Sequence, residues 1–458
     1  MILLFLFLIC ILLIILNVSV PFPLTNLPDI MVIVYGILVL LFGKYISYSF
    51  LKHEACNRKI ILKYYYLSFL ISLLFLKYCW TPFLLPNNAN WGFDPQRYYI
   101  YALQVIQKGY YDGWVGSGFD GIVYIYAFIF RLIGIHPLIP LYLNILLSLL
   151  SVLMLYKIFC NHVNNDIKYV GLLLFIPELL YFNVMSSKDT LCQFFLIFVF
   201  YYFYKLYWLK NIKSLFFLLL NLSLLLFLRL PYGFAAMSVI LVFLLFFTKR
   251  ISNSAKLFII SLFLPIAIWG LNITSLLSSS DTMQEDLGAR IESYATGNVN
   301  ALDNGSAIAS YLTPHNSFEV FVYGIIRSIF YLFPEGHYTF FDRYEINALG
   351  GLTQLLSGVV SALLICVAYL YVKKAFKYKY DKGILLILFC LFFMLLISFS
   401  TPNFIHQRYR ITFDYFYFLL VILAFMQLGK KRCFLVVKKW TLCLFALGLI
   451  YMFIKFLK

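Results

Sequence analysis

A few charged and aromatic residues stand out against an apolar chain, at the places where long hydrophobic runs end. "FDPQRYY" (93–99) carries Asp94, Arg97 and Tyr98, and "SSKD" (186–189) carries Lys188 and Asp189. "LRLPYG" (228–233) holds Arg229, and "NFIHQRYRITFD" (403–414) holds Arg408 and Arg410. "RSIFYLFPEGHYTFFDRYE" (327–345) mixes Arg327 and His337 with aromatic rings. Each type has a chemistry. The flat guanidinium fork of arginine matches a phosphate through paired hydrogen bonds. A carboxylate held beside a hydroxyl takes its proton as a general base. Aromatic faces set among polar groups suit sugar rings. Asp94 and Asp189 are therefore the candidate catalytic carboxylates. Lys188, Arg229, Arg327, Arg408 and Arg410 are the candidate phosphate ligands. Arg97, Tyr98 and His337 are candidate sugar or acceptor contacts.

Each residue also has a plainer role. Asp94 followed by Pro95 is a helix start, where Asp caps and Pro is favoured at the first position. Ser186 stands three residues before Asp189 in a capping pattern, and the same free N–H groups make an anion site with Lys188. Arginines at span ends snorkel to headgroups. Asp414, one turn after Arg410, pairs with it as a structural partner. Asp112 and Asp120 read as turn residues. Glu178 follows Pro177 inside an apolar run, as a hydrogen-bonding group or part of a cavity. The six histidines nowhere show metal spacing, so neither a metal nor a cofactor is expected. The nine cysteines lie mostly in apolar runs as small hydrophobes, without a disulfide framework.

These residues are positioned by membrane helices. Hydrophobic residues make up 63% of the chain and charged residues 12%, about half the charge of a soluble domain. Apolar runs near 20 residues recur throughout, each long enough to cross a bilayer. The fold class is an all-α integral membrane protein of about thirteen transmembrane helices, within a range of 11–14. The spans are placed near 1–19, 29–49, 61–82, 138–157, 168–184, 190–208, 214–229, 232–248, 257–275, 350–372, 384–400, 410–427 and 439–456. The first run lacks a basic flank and a cleavage site, and reads as a retained helix. The chain divides into a transmembrane region 1–275, an outer loop 276–349 and a transmembrane region 350–458.

The net charge of +17 is a topology signal, and nucleic acid is not needed to explain it. Basic residues collect in alternate connections: 52–63, 205–213, 248–256, 373–382 and 429–439. The positive-inside rule makes these cytoplasmic, with the N-terminus inside and 83–137 and 276–349 outside. To keep that parity, 121–134 and 318–334 are read as interfacial or re-entrant helices. Residues 95–108 read as a short amphipathic helix at the outer surface, with Arg97, Gln104 and Lys108 on one face. The first outer loop thus holds two helices along the membrane surface.

That loop resembles the one in large membrane glycosyltransferases of the GT-C type, which take a sugar from a polyprenyl-phosphate carrier. The similar pattern runs through Asp94, Arg97, Tyr98, Tyr99, Ala102 and Gly109, then Tyr124, Gly134 and Asn144. "IPELLYFNVMSSKDTL" (176–191), "LRLPYG" and "NFIHQRYRITFDYFYFLL" (403–420) resemble later segments of such enzymes. The chain departs from them in having two extra early spans, no Pro after "RYR", and no recognisable motif in 276–349. The resemblance implies a glycosyltransferase on the outer face of a bacterial inner membrane, using polyprenyl-phosphate- or diphosphate-linked sugar in surface polysaccharide synthesis. Asp94 is then the base, and Lys188 and the arginines hold the lipid phosphate. An O-antigen or capsule repeat-unit polymerase fits the same features, since Arg229 and Arg408/Arg410 would hold two lipid-linked oligosaccharides. A flippase or transporter is the other class, which usually shows repeated halves that this chain lacks. Expected partners are the polyprenyl-linked sugar or oligosaccharide, membrane lipid and other polysaccharide-assembly proteins.

Overall fold

The computed structural model describes residues 2–18, 25–80, 94–110, 121–160, 167–248, eight residues between 322 and 333, 348–400 and 410–456. Among them there are helices and connections, and no strand. A chain in lipid must satisfy its backbone polar groups internally, which a helix does within its own length. In order the α-helices are α1 (Ile2–Val18), α2 (Asp29–Phe50), α3 (Ala55–Trp80), α4 (Asp94–Lys108), α5 (Gly121–Ile133), α6 (Leu138–Phe159), α7 (Pro177–Phe182), α8 (Lys188–Tyr207), α9 (Lys213–Leu228) and α10 (Leu230–Val242). A second group follows: α11 (Ala348–Tyr378), α12 (Asp381–Ser400), α13 (Ile411–Leu428) and α14 (Lys430–Phe456). A 3-10 helix, Ile167–Phe175, precedes α7, and α10 ends in a π turn, Phe243–Phe247.

Among the described residues, six helical segments are long and apolar enough to cross a membrane: Asp29–Phe50, Ala55–Leu76, Leu138–Phe159, Lys188–Tyr207, Leu352–Tyr378 and Ile411–Leu428. Several shorter apolar helices accompany them. The outward surface is rich in exposed Leu, Ile and Phe, such as Leu4, Phe5, Leu8 and Phe434, a surface suited to lipid. The span expected at 257–275 lies outside the described residues.

Punctuation in the sequence makes the hairpins. Pro231 lacks an N–H and would clash with the preceding turn, so α9 stops at Leu228 and α10 starts two residues later. Gly429 takes φ 84° and ends α13 before α14 begins. Lys379 takes φ 53°, and Tyr380 N–H bonds to Ala375 O at 2.9 Å, which closes α11 against α12. Such short joints force antiparallel neighbours.

Contacts between distant segments define the two ends of the bundle. At one end, Asn26 and Ile135 clasp each other: Ile135 N–H donates to Asn26 Oδ1 at 2.8 Å, and Asn26 N–H to Ile135 O at 3.2 Å. At the other end, Asn57 Nδ2 donates to Tyr156 Oη at 2.9 Å, Lys382 Nζ to Ile158 O at 3.0 Å, and Lys430 Nζ to Tyr169 Oη at 3.1 Å. The expected basic connections 52–63, 373–382 and 429–439 thus meet at one end. One continuous core, from Cys10 to Cys433, includes helices from both groups.

One expectation is corrected. Residues 168–184 were expected to form a regular span, but they form the 3-10 helix, a break at Ile176, and short α7. Pro177 sits at the start of α7, where its missing N–H costs nothing. The two pieces together extend about 27 Å at ~2.0 and ~1.5 Å per residue. The expected loop helices 95–108 and 121–134 correspond to α4 and α5. They pack on each other: Tyr99 and Phe130 lie 5.2 Å apart edge to face, and Arg131 Nη2 donates to Val105 O at 3.2 Å. The apolar face of α4 (Tyr98, Tyr99, Ala102, Leu103) is buried.

Candidate functional site

The end of the bundle that holds the α9–α10 turn gathers most of the candidate residues that the structure describes. Arg229 is the extended joint between α9 and α10, at φ −160° and ψ 96°. Its Nη1 lies 2.9 Å from Asp189 Oδ1, in the first turn of α8, with the side chains 11% and 4% exposed. The dipole of α8 favours the carboxylate at its N-terminus and that of α9 favours the guanidinium at its C-terminus, while the N-terminus of α10 at the same joint opposes the guanidinium. The guanidinium also lies 4.3 Å from the ring centroid of Tyr232, a cation–π contact. Tyr232 Oη is 3.4 Å from Thr412 Oγ1, which links α10 to the start of α13.

Lys188 is the first residue of α8, and its side chain is buried. The ammonium lies 5.6 Å from the Tyr98 ring, so this contact ties α4 to α8. Tyr98 is itself buried. The residue before α8 is Ser187, and its side chain makes no capping bond. The expected cap from Ser186 is therefore replaced by a helix start one residue later, because Ser186 belongs to the non-helical turn.

That turn, 183–187, is held from α6. Asn144 Nδ2 donates to Met185 O at 2.8 Å and Asn183 O at 3.1 Å. Asn183 Nδ2 donates to Ser148 Oγ at 3.2 Å. Non-helical backbone at this depth leaves carbonyls unpaired, and Asn144 supplies donors for two of them. Tyr126 of α5 lies beside Asn144. The segment resembling GT-C enzymes included Asn144, but no role was assigned to it. A lone Asn in "LYLNILLSLL" is the signal that points to an interhelical bond.

Arg410 sits at the start of α13 with no exposed surface. Its Nη2 bonds Ser357 O at 3.2 Å and Ser361 Oγ, and meets Asp414 Oδ1 at 3.4 Å. The expected Arg410–Asp414 pair is present, and the guanidinium ties α13 to α11. Tyr417 Oη strengthens that tie by donating to Ser361 O at 2.6 Å. Ser357 Oγ also accepts from Glu178 N–H at 3.2 Å, which joins α11 to α7. Glu178 is fully buried there. None of Tyr232, Thr412, Ser357, Ser361 and Tyr417 was singled out from the sequence, because hydroxyls in apolar helices carry no motif.

The structure thus brings Tyr98, Lys188, Asp189 and Arg229 together, and holds Arg410 nearby through Tyr232 and Thr412. Asp94 and Arg97 belong to the first turn of α4, but their side chains lie outside the described residues. Arg327, His337 and Arg408 lie outside the described residues altogether, as do Asp112 and Asp120. Among the described residues, no three His, Cys, Asp or Glu side chains come together as a metal site would need. The arrangement can hold an anion beside Lys188 and Arg229, with Asp189 fixing the angle of the guanidinium. No family model, curated protein or solved structure matches this chain.

Proposed function

We propose that this protein is a membrane glycosyltransferase that uses a polyprenyl-phosphate- or diphosphate-linked sugar in surface polysaccharide assembly. In this reading the site faces the outside of a bacterial inner membrane, with thirteen spans and the N-terminus in the cytoplasm. The reading rests on the Asp189–Arg229 pair beside Lys188, at the helix end opposite the basic connections. Arginine and lysine at a span end are costly in an apolar setting, and phosphate recognition supplies a reason for them. Asp189 orients Arg229, and Asp94, on the surface helix that meets Lys188 through Tyr98, takes the acceptor proton.

A second reading, the repeat-unit polymerase, needs two lipid-linked substrates side by side, and Arg410, fully buried and bonded to Ser357, Ser361 and Asp414, does not supply the second phosphate position. Both readings predict the same first result. Arg229→Gln, Lys188→Gln and Asp94→Asn are introduced in the native host, and surface polysaccharide is stained at matched membrane levels of the protein. Polymer falls at least tenfold in each variant, and Arg229→Lys recovers little because it loses the bidentate fork. A single capped repeat unit identifies the polymerase, and a full-length polymer lacking one sugar identifies a side-branch transferase. Unchanged polymer in Arg229→Gln and Lys188→Gln removes the phosphate site and the reading with it.

A further inference from the structure

The opposite end of the bundle carries a cavity of about 50 Å³ lined by Phe159, Tyr371, Tyr380, Lys382, Gly383 and Gln427. It lies where α6 and α13 finish and α11 turns into α12. Two lysines are fixed there by helix C-termini: Lys374 Nζ donates to Gln427 O at 3.1 Å, and Lys382 Nζ to Ile158 O at 3.0 Å. Lys382 is only 9% exposed, and its ammonium lies 4.5 Å from the Tyr204 ring. It makes no ion pair among the described residues. One carbonyl uses one of its three N–H donors, so the charge keeps donors for the cavity it lines.

Two more donors meet Lys382. Tyr371 is 2% exposed, and its hydroxyl makes no hydrogen bond among the described residues. Gly383 is in the first turn of α12, where N–H groups have no carbonyl four residues back within the helix. A Cβ at Gly383 would stand 2.7 Å from Tyr371 Oη, so only glycine lets the phenol reach this turn. Gln427 also lines the space, and its buried, unpartnered Oε1 is an acceptor that only a protonated phosphate oxygen can meet. A buried cation, a phenol, a free N–H and the positive end of α12 therefore converge on one space, while the opposing C-terminal carbonyls of α6 and α13 are taken up by Lys382 and Lys374. The space is wide enough for a small polyatomic ion, since a single water needs about 10–15 Å³ by the same measure.

We propose that this cavity binds one phosphate group, at a second site distinct from that around Arg229. The phosphate is either free inorganic phosphate or the headgroup of an anionic lipid. The surrounding "KKAFKYKYDK" (373–382) and "KKR" (430–432) raise the local concentration of either.

The test uses the full chain in nanodiscs of phosphatidylcholine. Inorganic phosphate is titrated while the melting temperature is followed, and the series is repeated in discs containing phosphatidylglycerol with bound lipid counted by native mass spectrometry. Expected is a saturable rise with free phosphate, or a retained phosphatidylglycerol. In an Arg229→Gln background, which silences the proposed outer phosphate site, Tyr371→Phe weakens the response about tenfold and Lys382→Gln weakens it more. A response to phosphate in phosphatidylcholine discs identifies the free ion, and a response seen only with phosphatidylglycerol identifies the headgroup. Tyr371→Phe keeps the ring and both lysine-to-carbonyl bonds, so it decides the matter even if Lys382→Gln does not fold. No response to either probe, or a response that Tyr371→Phe leaves unchanged, overturns the proposal. A loss of polysaccharide in the Arg229 variants has no bearing on this outcome.

Discussion

At the residue scale, the Asp189–Arg229 pair sets the stability of its end of the bundle. Both side chains are largely buried and 2.9 Å apart, so removing one charge strands the other in a poorly solvated place. Asp189→Asn is expected to cost about 3 kcal/mol, near the lower end for a buried pair. Asp189→Asn combined with Arg229→Gln recovers part of that loss, because no lone charge remains. Melting curves of the two single variants and the double variant form the cycle that checks this. His136 offers a second test, between α5 and α6. Burial pushes its pKa down from 6.5 to about 4, and the charge of Asp29 opposes the shift only in part. Leu138 N–H donates to His136 Nδ1 at 3.1 Å, a bond that needs the neutral ring. Between pH 4 and 6.5 the unfolded chain binds the proton and the folded one does not. Stability therefore rises with pH through this window, by about 3 kcal/mol at ~1.4 kcal/mol per unit. Melting temperature measured from pH 4 to 7 should show the slope, and His136→Gln should flatten it.

At the element scale, packing and joints decide. α2 meets α3 at Gly43, where a Cβ would stand 2.5 Å from the Tyr65 ring. That ring cannot swing away freely, since Tyr65 Oη donates to Val39 O at 3.0 Å. Gly43→Ala should therefore cost about 1–3 kcal/mol as overpacking, visible as a lower melting temperature. The α11–α12 joint predicts the opposite sign. Lys379 holds a left-handed conformation, at φ 53°, which penalises a residue with a Cβ by about 1 kcal/mol. Lys379→Gly should raise stability by about that amount in the same assay. The broken element 167–187 was hidden in the sequence. Its apolar run reads like any span, yet Pro177 and the donors of Asn144 favour a 3-10 piece, a short helix and an open turn.

At the scale of the whole molecule, the two ends differ in kind. One end holds the ion pairs around Arg229 and Arg410, and the other holds lysines that cap helix C-termini at Ile158 and Gln427. In the proposed orientation, which follows the positive-inside rule, the lysine end faces the cytoplasm. Lys108→Cys should therefore react with an impermeant maleimide on intact cells, and Lys431→Cys only after permeabilisation, with Cys56 and Cys443 replaced by Ser. Labelling in the reverse order would invert the topology and remove the outer site.

Much of this organisation was legible from the chain alone. Apolar runs marked the helices, because lipid demands internal hydrogen bonding over a fixed length. The joint at Pro231 was legible as well, because proline bars a continued helix, whereas Pro177 lay inside an expected span and its break was not. Asp414 was recognisable as the partner of Arg410, because four residues make one helical turn. The partner of Arg229 was not recognisable, since forty residues separate it from Asp189 and no local period links them. The same holds for Asn144 with Met185, and for Lys382 with Ile158. Helix formation is a local contest that neighbouring residues settle. The choice of which helix ends meet, and hence which charges share a site, depends on how the whole bundle closes.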